Sequence, residues 1–168
     1  MDPVAFQPWF VLIHVLSVLA FVLLHGASAT VAFRLRSERE PARIRALLEL
    51  STASLGGATA ALLLILASGI VAGIVGGWWT SGKLWLWASL ALFIAVGVAM
   101  SVVAVPHLNA VRRAVGLPTR DDRPGEPIPA PGADELAALL VSRRPAVSAA
   151  IGLGGLGVIT WLMQLKPW

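Results

Sequence analysis

Three histidines carry most of the chemistry this 168-residue chain has to offer. His14 and His25 lie eleven residues apart in one long apolar run. On an α-helix that spacing is three turns plus about 20°, so both imidazoles share a face, roughly 16 Å apart along the axis. Ser17, Phe21 and Ser28 extend the same stripe. Neutral imidazole in a helical bundle is a familiar axial ligand of haem iron, and it also hydrogen-bonds neighbouring helices. His14 and His25 are too far apart to hold one iron, so each needs a partner from another helix at its own depth. Met100 is level with His25, which allows a His/Met pair, and His14 alone would suit a five-coordinate haem b. His107 follows Pro106 beside Asn109, Arg112 and Arg113 and reads as an interfacial residue.

Other chemistries are excluded by absence. The chain has no cysteine, which removes disulfides, zinc knuckles and thiol catalysis. Asp, Glu, Lys and Arg leave four long gaps: 31 residues between Asp2 and Arg34, 33 between Glu49 and Lys83, 28 between Lys83 and Arg112, and 21 between Arg144 and Lys166. Buried ionisable groups mark proton-coupled and voltage-sensing membrane proteins, and these gaps contain none of the four types. Two internal methionines, Met100 and Met163, do not make a Cu(I) ladder.

The same gaps define the elements that position the histidines. A helix needs about 20 apolar residues to cross a bilayer, and each gap supplies one crossing. With 57% hydrophobic and 13% charged residues and a mean hydropathy of +0.80, the chain reads as an all-α, polytopic membrane four-helix bundle. It forms a single membrane domain, 1–168, with spans at about 9–33, 48–77, 84–107 and 146–165. Eleven of the thirteen Lys and Arg residues lie in the loops after spans one and three. Basic loops stay in the cytoplasm, which puts both termini outside. The pI near 11.1 is thus a topology signal and calls for no nucleic-acid partner. The Arg-rich, Lys-poor composition suggests a bacterial plasma (inner) membrane. No positive charge precedes the first apolar run, so span one is expected to be retained and not cleaved as a signal peptide.

Ser37 and Glu40, followed by Pro41, have capping-box spacing and predict a helix start in the first cytoplasmic loop. The stretch 117–134 is rich in proline and glycine and predicts an extended loop. A short amphipathic helix over 134–144 should follow, with Pro145 marking either the entry to span four or a kink. Gly69, Gly73 and Gly77 on helix two, and Ala150 and Gly154 on helix four, have the small-residue spacing of close helix packing. They would serve either the bundle itself or a homodimer. The seven tryptophans, Trp9, Trp78, Trp79, Trp85, Trp87, Trp161 and Trp168, all fall at the outer ends of spans. That is either an interfacial belt or the aromatic wall of an outer-half ligand site, with Trp85 and Trp87 its best candidates.

Three short stretches carry a resemblance: Leu12-Ile13-His14-Val15-Leu16-Ser17, Gly76-Gly77-Trp78-Trp79, and Trp85-Leu86-Trp87-Ala88-Ser89-Leu90. Together they resemble the CopD-like membrane families, which include copper-resistance CopD proteins and HemJ-type protoporphyrinogen oxidases, and most of all their uncharacterised bacterial branch. The resemblance implies a functional histidine at His14 and a second group at the position held here by Ser89, where HemJ-type enzymes have lysine; Trp87 stands where they have histidine. The expectation is a membrane protein binding haem or another hydrophobic ligand in the outer half of the bundle, with His14, Ser89, Trp85 and Trp87 lining the site, and His25 and Met100 deeper. Three alternatives stay open: a haem-dependent oxidoreductase acting on a porphyrinogen or quinol, a metal or small-solute pathway along His14, Ser17, His25 and Ser28, and a structural subunit.

Overall fold

A computed structural model describes residues 3–80, 82–119, 122–123 and 133–167. After a 3-10 turn, Pro3–Phe6, the elements are α1 (Gln7–Leu35), α2 (Pro41–Val75), α3 (Leu84–Ala114), α4 (Ala133–Leu140) and α5 (Arg144–Leu165). Four stretches, containing α1, α2, α3 and α4–α5, are long and apolar enough to cross a membrane. Apolar residues encircle these helices instead of forming one stripe, so large side chains such as Leu23, Leu50 and Ile74 are exposed on the outside of the bundle. Several hydroxyls on the helices are satisfied locally. Ser17, Thr52, Ser89 and Ser101 each donate to the carbonyl four residues back, at 2.8–2.9 Å, which suits a medium that offers no water.

The bundle is two helix pairs, α1 with α2 and α3 with α5, joined by a smaller α1–α5 contact; α2 and α3 share no comparable interface. The α1–α2 seam is built on small residues. Ser51, Ser54, Ala58, Ala61, Ile65, Ser68 and Ala72 are all buried and follow one another at alternating spacings of three and four. That repeat keeps one narrow row of α2 facing its neighbour, and short side chains let the backbones approach. Ser28 and Ser51 hydrogen-bond across the seam at 2.8 Å, and Leu24 occupies the space a side chain at Gly57 would need.

Packing is tightest at the arginine-bearing end. Val31, Leu35, Ile44, Leu48, Val111, Val115 and Leu140 form the main apolar cluster there. Arg45 donates to the Val115 carbonyl at 2.8 Å, and Arg112 donates to Thr52 Oγ1 at 2.7 Å and to the Pro118 carbonyl, so arginines tie α2 to the end of α3.

Several local expectations are corrected. The capping box at Ser37–Glu40 does not form: Ser37 still belongs to the turn leaving α1, where its hydroxyl donates to Arg34. Glu38 instead accepts from the backbone N–H groups of Arg39 and Glu40, and those bonds hold its carboxyl below the usual range. The helix expected over 134–144 ends at Leu140, and a break at 141–143 separates it from α5, whose first turn holds Pro145. On α5 the close packing lies at Gly152 and Gly155, while Gly154 faces open space. Most of the loop 117–134 lies outside the described residues.

Candidate functional site

The gap between the two helix pairs is a cleft of about 1340 Å³, lined by residues of α1, α2, α3 and α5. His14 reaches it from α1. Its Nδ1 lies 2.9 Å from the Ile65 carbonyl and 3.4 Å from the Ser68 hydroxyl. A carbonyl only accepts, so Nδ1 carries the proton, and Nε2 is left as a lone-pair acceptor with no partner among the described residues. Gly69 makes this placement feasible, since a Cβ there would sit 3.0 Å from His14 Cε1 and 3.1 Å from Nδ1. The imidazole is therefore seated in a glycine notch with one nitrogen fixed by backbone. Metal-ligating and hydrogen-bonding histidines are commonly oriented in this way.

Ser89 and Trp85 also line the cleft and are 1% and 4% exposed. Ser89 gives its proton to the Trp85 carbonyl at 2.8 Å. Trp87 does not belong with them. Two residues on a helix are about 200° apart, so side chains at 85 and 87 face opposite ways. Trp87 is 53% exposed and packs edge-on against Trp79, with centroids 4.9 Å apart. The tryptophans accordingly divide: Trp78, Trp79 and Trp85 line the cleft, whereas Trp9, Trp87 and Trp161 are exposed on the outside. Trp168 lies outside the described residues.

Deeper in the bundle, His25 stacks on Phe21, with centroids 5.2 Å apart and planes 6° from parallel. His25 Nε2 and Met100 Sδ approach the same point: a Cβ on Gly152 would lie 2.9 Å from the first and 3.5 Å from the second. The expected juxtaposition of His25 on α1 with Met100 on α3 is therefore present, with Gly152 of α5 packed against both. His25 Nε2 and Ser148 Oγ are buried without a hydrogen-bond partner among the described residues.

His107 is 7% exposed, and beside it is a small cavity of about 10 Å³ lined by Leu35, Leu140 and Pro145 among others. His107 lies at the arginine-bearing end, enclosed by the packing of α4 and the start of α5. Among the described residues there is no group of three or more His, Asp or Glu side chains placed to hold a metal ion.

The glycines of helix two have work within the chain. Gly69 accommodates His14, and Gly73 is covered by the Trp79 indole, which donates to the Ile70 carbonyl at 3.2 Å. Gly77 is past the helix end, in a turn with φ of +64°. Sequence reasoning missed the Ser/Ala row of α2, although its three-and-four spacing was legible. It also missed Lys166, whose αL backbone ends α5 and whose ammonium lies 5.8 Å and 5.7 Å from the Trp78 and Trp85 ring centroids at one end of the cleft.

The class defined by these observations is an all-helical protein with four helices long and apolar enough to cross a membrane, enclosing a large apolar cleft with an oriented histidine. Comparison with known protein families, curated proteins and solved structures finds no match for the chain.

Proposed function

We propose that this chain is a multi-pass membrane protein that binds a hydrophobic ligand in the cleft between its helix pairs, with His14 as the polar anchor. The observation that carries the reading is the His14 geometry. A histidine serving only to join α1 to α2 would need nothing beyond its Nδ1 bond, and this one also lines a cleft of 1340 Å³. Ligand sites are typically concave and mostly apolar, with a few placed polar groups, and the cleft has that character. The first-helix resemblance to CopD-like proteins points the same way.

In this reading the arginine-bearing end of the bundle is cytoplasmic and both termini are outside, in the plasma membrane of a bacterium. His14, Ser89 and the indoles Trp78, Trp79 and Trp85 then belong to the outer half. Haem b is one ligand that His14 would suit, as an imidazole whose other nitrogen is held on the Ile65 carbonyl. When bound it would supply one-electron or oxygen chemistry. His14 would hold the iron, Gly69 would keep the ring orientation, and the three indoles would exclude water.

The test is an absorption spectrum and an organic extract of the purified protein, wild type beside His14→Ala and His107→Ala. A Soret band, or an extracted hydrophobic compound enriched over the surrounding lipid, should be present in the wild type and in His107→Ala. It should fall at least tenfold in His14→Ala, the scale of losing one liganding or buried charge-assisted contact. An extract identical to bulk lipid in all three proteins refutes the reading.

A further inference from the structure

The apolar length of the cleft is closed by different chemistry at its two ends. At the arginine-bearing end Arg112 lines it, but its guanidinium is committed to the Pro118 carbonyl and Thr52 Oγ1. At the other end Lys166 lines it, and its ammonium has no ion pair or hydrogen bond among the described residues; it rests against the faces of Trp78 and Trp85. The αL conformation at Lys166, with φ of 46° and ψ of 57°, ends α5 and turns the chain at the place where this cation meets the indoles. Indole faces attract a cation while leaving its N–H donors for an anion.

From the turn of Leu48 to that of Ala72, both on its wall, the cleft runs roughly 36 Å, more than the hydrocarbon thickness of a bilayer. It lies where α2 and α3 fail to meet, so its long side is a gap between helix pairs, not a mouth at one end. An elongated slot of this kind suits acyl chains entering sideways, and a cation at its end with no ion pair among the described residues suits an acidic head.

We infer that the α2–α3 gap takes an anionic phospholipid from the bilayer, its chains along the cleft and its phosphate on Lys166. This rests on the proposed ligand-binding reading and names the ligand class left open there. A tetrapyrrole carboxylate would satisfy the same cation, and the experiment separates the two.

The full-length protein is released from vesicles of equimolar phosphatidylglycerol and phosphatidylcholine with matched chains, and its bound molecules are counted by native mass spectrometry. One phosphatidylglycerol per chain should be retained in about fivefold preference over phosphatidylcholine, the size of a partly exposed charge contact. Lys166→Asn removes the charge with a residue that tolerates the αL conformation and should abolish the preference. Lys166→Arg should restore it, and Lys83→Gln, a lysine outside the cleft, should leave it intact. The wild-type preference is decisive even if Lys166→Asn proves unstable. Equal retention of the two lipids overturns the inference while leaving a cleft that binds hydrophobic molecules. A preference that survives Lys166→Asn also overturns it, as does a tetrapyrrole held in place of lipid. Retention of neither lipid, with no other adduct, overturns this inference and the ligand-binding reading together.

Discussion

At the scale of single residues, the fit of small side chains decides where polar atoms end up. Gly69 and His14 act as one unit, because a methyl at 69 would press on the imidazole at 3.0–3.1 Å. Gly69→Ala should therefore displace His14 and reduce retention of the cleft ligand nearly as far as His14→Ala, while the helix content seen by circular dichroism stays constant. Ser148 offers the opposite case. Its buried hydroxyl lacks a partner among the described residues, and leaving such a group unpaired costs about 1–3 kcal/mol. Ser148→Ala should raise resistance to denaturation, measured as a higher midpoint in a detergent unfolding titration. Beyond the helix ends, Asp122 accepts hydrogen bonds from Arg113 and Thr119, which hold its carboxyl at about 2. A depressed carboxylate stabilises its contacts above its unfolded value, and that contribution is lost as pH falls through the folded one. The contacts of Asp122 with Arg113 and Thr119 should hold above about pH 4 and loosen between there and pH 2, as followed by the Asp122 carboxyl resonance; Arg113→Ala should move that titration upward.

At the scale of elements, the two helix pairs are held by different devices. The α1–α2 pair depends on its Ser/Ala row, and a larger residue at Ala58 would force the backbones apart. Overpacking of this kind costs about 1–3 kcal/mol, so Ala58→Leu should lower the unfolding midpoint. For α3 and α5 the critical contact is Gly155 on Val96, whose branched side chain occupies the place a Cβ would take. Gly155→Ala should destabilise by a similar amount, whereas Gly154→Ala meets nothing within 4 Å and should be neutral or slightly stabilising, because alanine is the better helix former. The positions of the long helices were legible from charge gaps alone, since the expected spans fall inside α1, α3 and α5, and the second overlaps α2 up to Val75. The packing glycines were not, because spacing identifies a small-residue row without saying which of two adjacent rows faces a neighbour.

At the scale of the whole molecule, the proposed orientation and the filling of the cleft each have a direct measurement. Because the chain lacks cysteine, single-cysteine variants report topology without background. If both termini are outside, Thr80→Cys should react with an impermeant maleimide added to intact cells, and Arg123→Cys should react only after the membrane is opened; the reverse pattern would invert the proposed sense. The uneven core has a consequence too. Apolar packing is concentrated at the arginine-bearing end, so the opposite half, where α2 and α3 stand apart, gains more from whatever fills the cleft. A ligand present at about 100 times its dissociation constant adds roughly 2.7 kcal/mol to the stability of the folded bundle. Delipidation should accordingly lower the unfolding midpoint, and restoring phosphatidylglycerol should recover it.

The sequence by itself determined the class of element and the number of helices long and apolar enough to cross a membrane, because charge exclusion and helix length are local properties of the chain. It also placed His14 and His25 on one face, since helical periodicity fixes relative angle. Which wall each side chain reaches was decided by tertiary structure. Trp85 and Trp87 read alike in the sequence and diverge by half a turn in space. Lys166 read as one of two lysines at the outer ends until the fold brought it against Trp78 and Trp85 at the end of the cleft. The cleft itself is a property of two helix pairs that do not close on each other, and no local pattern encodes how far apart two apolar helices will stand.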